Sequence, residues 1–274
     1  GYTFFAPIRS KTSYLIDMNG EVVHEWPSEH PPGNAAYLMK DGSLIRTAQD
    51  FDNPTFHGGG SGGRVQRISW DGELLWDFLF SSEEHMQHHD IACLPNGNVL
   101  MIAWEFKTPE EAIEAGRDPS TTGEEGVWPD TVIEVKPKGE SGGEIVWEWR
   151  LWDHLIQDRD EEKDNFGDVG AHPELVDVNH AARGGGDWNH TNSIHYNARL
   201  DQVTISVRTF NELWVIDHST TTEEAAGHEG GKYGRGGDLL YRWGNPEAYR
   251  RGGRRDIRLY GQHDVQWIDE ELPG

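Results

Sequence analysis

Apolar and polar residues alternate in short runs along most of the chain, and few stretches repeat apolar residues at helical spacing. "SYLID" from Ser13, "RVQRISWD" from Arg64, "DTVIEV" from Asp130 and "ELWVID" from Glu212 each read as a strand of period two. Each leads into a segment of one pattern: Gly, acid, two aliphatics, two variable residues, aromatic. The copies are "GEVVHEW" (Gly20 to Trp26), "GELLWDF" (Gly72 to Phe78), "GEIVWEW" (Gly143 to Trp149) and "GDLLYRW" (Gly237 to Trp243). Each closes an up-and-down hairpin. Between them lies a second kind of hairpin, beginning at Asn34, His89 and His190, with an unfinished copy at His263. "PNGN" after Leu94 is an Asn-Gly turn between alternating strands, a strong short-range hairpin signal.

One hairpin of each kind makes four antiparallel strands, the blade of a β-propeller. The expected fold is therefore all-β: one propeller domain over residues 1–274 with roughly four blades. The last inner hairpin breaks off beyond Trp267, so a longer natural chain is expected. A β-sandwich is the alternative, but it gives no reason to repeat a four-strand unit. Within the insertions, Thr108 as N-cap and Pro109 at the first helical position predict a short surface helix. The glycine-rich runs His57 to Arg64 and His228 to Gly237 lack the ending of a phosphate loop and read as flexible connections. "DRDEEKD" (Asp158 to Asp164) reads as a solvated acidic loop rather than a calcium site.

Composition narrows the function. The 12 Trp, 33 Gly and 13 Pro fit strands and turns, and 48 acidic against 24 basic residues give a net charge of −24. Nucleic acid is not an expected partner, because phosphate-backbone binding needs basic patches. The single cysteine, Cys93, allows no internal disulfide and no cysteine metal cluster. No run of apolar residues reaches the length of a membrane span, and the first residues lack a signal-peptide layout. Self-association is left open.

Fourteen histidines are present. His30, His57, His154, His172, His180, His218 and His228 are read as structural or surface residues. Aligning the inner hairpins on their turns places His89 and His263 at one position, each followed by Asp and an aliphatic, with His190 within one residue of it. The first strand of each blade lines a propeller's central channel, so three histidines from three blades should converge at its mouth. Alternation allows only one of His88 and His89 to face the channel, and the recurring "HD" favours His89. Arg208, ending "VTISVR", should reach the same place. Imidazoles and a guanidinium suit a tetrahedral oxyanion, since Arg offers a fork of donors and His can donate, accept or attack. A divalent metal on the three histidines, serving a hydrolase or lyase, and a non-catalytic binding platform are the rival readings.

"QHHDIACLPNGNVLMIAWE", "DWNHTNSIHYN", "SVRTFNELWVIDHSTTTEEAAGH", "LLYRWGNPEAY" and "GQHDVQW" resemble the arylsulfotransferases, which move sulfuryl groups between phenols without a nucleotide donor. The resemblance covers nearly the whole chain and implies a six-bladed propeller whose channel histidine is transiently sulfated. It implies His263 as that nucleophile, His89, His190 and Arg208 as sulfate-binding and charge-stabilising groups, and Asn192, with His88 as the weaker choice, in substrate binding. It further implies an aryl sulfate donor, a phenol acceptor, no organic cofactor, no metal, and a periplasmic or extracellular location. Two departures stand out: about four blades instead of six, and no amino-terminal sandwich domain.

Overall fold

Short alternating runs fold as the sequence suggests, into antiparallel meanders. The computed structural model describes residues 1–268. Strands β1 (Tyr2–Phe5), β2 (Thr12–Asp17) and β3 (Val22–Pro27) form a three-stranded sheet. The second sheet has β4 (Pro32–Leu38), β5 (Leu44–Gln49), β6 (Gly63–Ile68) and β7 (Leu74–Leu79). The third has β8 (His85–Cys93), β9 (Val99–Glu105), β10 (Asp130–Lys138) and β11 (Gly142–Arg150). A two-residue parallel pair, β12 (Leu155–Ile156) and β13 (Val176–Asp177), precedes the fourth sheet of β14 (Thr191–Asn197), β15 (Gln202–Val207), β16 (Glu212–Asp217) and β17 (Tyr241–Trp243). Strand order follows chain order in every four-stranded sheet. Helix α1 (Pro109–Glu114) starts where expected, with Thr108 and Glu111 forming a capping box. Helix α2 (Thr222–Ala225) lies in the long connection between β16 and β17.

This is a β-propeller architecture built from four-stranded antiparallel blades. The innermost strands meet: β8 packs against both β4 and β14. Its repeat has a physical reason. The fifth residue of each of the first three closing segments reaches the next sheet: His24 Nε2 donates to the Trp70 carbonyl at 2.7 Å, Trp76 Nε1 to the Gly142 carbonyl at 2.9 Å, and Trp147 Nε1 to Thr220 Oγ1 at 3.0 Å. At the seventh position Trp26 and Trp149 do the same, to the carbonyls of Ser69 and Gly237. The aromatics thus fill the seams between sheets while their polar hydrogens are satisfied across them. The glycines of the first two copies, Gly20 and Gly72, take φ of 84° and 87°, a left-handed turn conformation that favours glycine.

Buried clusters occupy the seams. Leu15, Trp26, Leu44 and Ile68 join the first two sheets, and Ile45, Val65, Trp76, Ile91, Met101 and Ile133 join the second and third. The largest cluster lies between the third and fourth sheets, around Leu100, Ile102, Trp149, Ile194, Val203 and Trp214. Two details differ from expectation. The first sheet has β1 in place of an inner hairpin, so three sheets rather than four are complete blades. The last closing hairpin keeps only three residues in β17, because α2 and the glycine-rich loop interrupt it. The expected unfinished strand at His263 to Trp267 runs beside β14: Val265 N donates to Ser193 Oγ and Trp267 N to His195 Nδ1. The rest of that segment, from Asp269, lies outside the described residues.

Candidate functional site

The inner strands β8 and β14 do not run straight at their entry ends. Gln87 pairs with Ala103 and Ile91 with Met101, so His88, His89 and Asp90 bulge opposite Ile102 alone. A smaller bulge at Asn192 interrupts β14. His89 and His190 both adopt φ of 50°, an uncommon left-handed conformation for a side-chain-bearing residue. The bulges redirect both histidines, and their rings meet edge to face with centroids 4.6 Å apart.

Each ring has a carboxylate behind it, His190 directly and His89 through a second imidazole. His190 Nδ1 lies 2.5 Å from Asp187 Oδ2, which assigns the hydrogen to Nδ1 and leaves Nε2 as an acceptor. Behind His89 runs a chain of three groups: its Nδ1 lies 2.8 Å from His88 Nδ1, and His88 Nε2 lies 3.1 Å from Asp130 Oδ1. Asp130 is fixed in turn by Thr191 N at 2.6 Å and by Asn189 Nδ2, both donating to Oδ2. Burial pushes the Asp130 carboxyl up to about 8, outweighing the hydrogen bonds from Thr191. Burial, and then the neighbouring His88 and His190, push His89 down to about 2. His263 and Arg208 add to that push. His88 is pushed down to about 3, mainly by burial. These shifts favour the neutral form of all three groups at neutral pH, in which the Asp130 carboxyl can donate to His88 Nε2.

His88 has no exposed surface, stacks on Trp104 at 4.1 Å and has both nitrogens engaged. It lies behind His89, with no surface of its own. Of the pair only His89 meets His190, the choice the recurring "HD" favoured, although a bulge rather than plain strand alternation sets it. Arg208 follows β15 and is exposed, with its backbone N bonded to the His190 carbonyl. His263 is exposed, and its Nδ1 donates to the Gly261 carbonyl at 3.1 Å, leaving Nε2 with a free lone pair. Both lie close enough to depress His89 electrostatically. Asn192 is 7% exposed; its Nδ2 donates to the Gln262 carbonyl at 2.7 Å, while its Oδ1 has no partner.

The repeat register is now explicit. Ile194 N donates to Asp90 Oδ2 and Val265 N to Ser193 Oγ, so Asp90 and Ser193 are equivalent. Asn192 therefore stands where His89 and His263 stand in their repeats. His190 enters from two residues earlier.

Sequence reasoning missed four contributors. Asp130 and Asp187 lie far in sequence or outside the repeat. The loop at Gly58 to Gly60, read as a flexible connection, packs over the site. A β-carbon at Gly60 would come within 2.2 Å of the His89 ring, and one at Gly58 within 2.7 Å of Trp104. His89 N donates to the Gly60 carbonyl at 2.7 Å, and Ser61 bridges His88. Glycine serves there because no side chain fits. On the channel side, a cavity of about 340 Å³ is lined by Tyr37, Asp90, Ile194, Tyr196, Asp264 and neighbouring residues. Burial raises Asp90 to about 6 although Tyr37 Oη donates to it at 2.5 Å.

Among solved structures, hydrazine synthase from Kuenenia stuttgartiensis superposes with a TM-score of 0.50 at 13% identity, over 89% of this chain and 59% of that one. A Bacteroides caccae protein of unknown function gives 0.44 at 14% identity, over 88% of this chain and 56% of that one. The Dos1 propeller gives 0.41 at 7% identity, with 88% and 55% coverage. The chain thus spans less than three fifths of the length of these structures. Among curated proteins none matches. The family model for arylsulfotransferase (ASST) matches residues 4–227, most of the chain, and the chain belongs to the arylsulfotransferase family.

Proposed function

We propose that the channel site transfers a sulfuryl group from a phenolic sulfate ester to a phenolic acceptor through a sulfohistidine on His263. The observation that carries this reading is the edge-to-face His89–His190 pair, each ring backed by a carboxylate and flanked by His263 and Arg208. The lone pair of His263 Nε2 attacks sulfur. An N–S bond forms as the ester S–O bond breaks, and its electron pair goes to the phenolic oxygen. With Asp130 protonated, its hydrogen is donated to His88 Nε2, His88 Nδ1–H to His89 Nδ1, and His89 Nε2–H faces the site. His89 can then protonate the departing oxygen while the proton on Asp130 moves up the chain to replace the one given away. Arg208 holds the sulfuryl oxygens. In the second half-reaction the acceptor phenol attacks sulfur, the N–S pair returns to His263, and the phenolic proton travels back toward Asp130. Asn192 Oδ1, buried and unpartnered, offers an acceptor for the incoming hydroxyl. Ping-pong kinetics follow.

Arg208 beside His89 disfavours a divalent cation on the same histidines. By family resemblance the proposed compartment is periplasmic or extracellular. The test is brief incubation with an aryl sulfate, quenching at neutral or basic pH, and mass spectrometry. A sulfuryl group should sit on the peptide containing His263 and vanish when a phenol is added. His263→Ala should abolish both half-reactions, whereas loss of a single stabilising donor costs about 10²–10³ in rate. Retained transfer in His263→Ala, or a label on His89 or His190, refutes the assignment.

A further inference from the structure

At the outer seam between the third and fourth sheets, His154, His228 and Asp238 bring two imidazole nitrogens and a carboxylate oxygen within 4.8 Å of one another. Sequence alone gives both histidines a structural or surface role. Asp238, however, is the acid of the fourth closing segment. In the other copies that acid, Glu21, Glu73 or Glu144, is exposed, as befits a residue near an outer edge. In the fourth copy it is turned inward and 7% exposed, with Oδ1 lying 2.9 Å from His154 Nδ1 and 2.8 Å from His228 Nδ1.

The tautomer of His154 is fixed from its other side. Its Nε2 lies 2.9 Å from the Ala225 carbonyl, which can only accept, so Nε2 carries the hydrogen. A neutral His154 then aims its Nδ1 lone pair at a carboxylate oxygen, acceptor against acceptor. A proton, on the ring or on the carboxyl, or a cation must stand between them. An imidazole whose far nitrogen donates to a backbone carbonyl is the arrangement by which proteins orient metal ligands. His154 is fully buried and stacked parallel to Trp149, so its ring is preset.

We propose that His154 Nδ1, His228 Nδ1 and Asp238 Oδ1 bind a divalent transition-metal ion of the zinc class. Two nitrogens and one oxygen suit such borderline ions, whereas calcium and magnesium call for more oxygen ligands. Metal–ligand bonds of about 2.0–2.2 Å place tetrahedral ligands roughly 3.3–3.5 Å apart, so each contact opens by about half an ångström. His228, on the glycine-rich loop and with 60% of its side chain exposed, can make that movement. It also lines a surface cleft of about 400 Å³ that includes Asp153, Asp164 and His172, through which ion and water can enter. The ion ties the loop before β17 to the turn after β11, joining one blade to the next at a place where the closing hairpin is interrupted.

The test is titration of the chelator-treated chain with Co²⁺, read by visible absorption, with Zn²⁺ as competitor. One equivalent of Co²⁺ should give an intense band between about 500 and 650 nm that Zn²⁺ abolishes, and Zn²⁺ should raise the melting temperature. His228→Ala, exposed enough to leave folding intact, should weaken Co²⁺ binding at least tenfold, and Asp238→Asn more. His89→Ala should leave the band unchanged, which separates this site from the channel histidines and from the sulfuryl-transfer reading. Absence of a stoichiometric band, or undiminished binding in a folded His228→Ala variant, overturns the proposal.

Discussion

Replacing Asp130 with Asn tests whether the buried carboxyl governs the hydrogen that His89 presents to the site. In the native chain Oδ2 accepts from Thr191 N and Asn189 Nδ2, while Oδ1 faces His88 Nε2. An asparagine must keep its oxygen toward the two donors and turn its NH₂ toward His88, because the opposite orientation sets donor against donor. It then donates to His88 Nε2 permanently, as protonated Asp130 does, and His89 keeps Nε2–H at every pH. In the wild type that state is lost as Asp130 ionises through its raised value of about 8. A charge-assisted hydrogen bond from His89 to a sulfate oxygen is worth about 1.5–3 kcal/mol, or about 10- to 150-fold in affinity. At pH 9.5 only about 3% of a group with pKa 8 is protonated. Inorganic sulfate measured by calorimetry should therefore bind the wild type about 10- to 30-fold more weakly at pH 9.5 than at pH 7. The Asn variant should change less than about threefold. Stability supplies a second readout. Asp130 has an unfolded pKa of about 3.9 and a raised folded value, so the native state holds the extra proton between them. Its contribution is complete below about pH 4 and declines as pH rises to about 8, a slope absent from the Asn variant. Urea unfolding at pH 5, 8 and 9 should show the variant gaining on the wild type up to about pH 8 and no further. An alkaline loss of sulfate affinity that is equal in both proteins, or absent from the wild type, refutes the reasoning.

Gly60→Ala places a methyl against the His89 ring at a residue whose φ is 83°. It should cut sulfate affinity at least tenfold while leaving the far-ultraviolet spectrum unchanged, and native-like sulfate binding would show that the loop does not cover the site. Trp76→Phe removes the bond to the Gly142 carbonyl while keeping most of the aromatic packing. It should cost about 1–3 kcal/mol in urea unfolding, because the partner is left unpaired at the seam.

The blades were legible because their signal is local. A glycine, an acid and two aliphatics before an aromatic define a turn and a strand, and the variable fifth residue gained its meaning only when Trp76 and Trp147 were seen bonding to the next sheet. The convergence of His89 and His190 was legible from the repeat. Their support was not: Asp130 lies 42 residues beyond His88 in another strand, and no periodicity marks it as a partner. Gly58 and Gly60 were illegible for another reason. Their contribution is an absent side chain, and glycine-rich sequence looks alike whether a loop is mobile or pressed against a ring. The register of His190 failed because bulges add residues without changing the pattern on either side, so an alignment on the turns could not count them. The preference for His89 over His88 held, since His88 is wholly buried and His89 meets His190, although inside a bulge rather than by plain alternation.

A chain with a net charge of −24 repels an anionic substrate at long range, and salt only partly screens that field. On the proposed reading, attraction for an aryl sulfate is therefore local and made chiefly of hydrogen bonds. In that reading Arg208 supplies the fixed positive charge, while His88 and His89, held neutral by burial, contribute oriented hydrogens rather than charge. Under those conditions an ionised carboxylate two groups behind His89 would harm the site twice, by adding a negative charge and by drawing the hydrogen away from Nε2. Keeping Asp130 protonated near neutrality removes both effects. Burial in the seam between β10 and β14, ordinarily a cost for an acidic residue, is what does so. The same seam packing that closes one blade against the next thus determines which atom of His89 carries the proton.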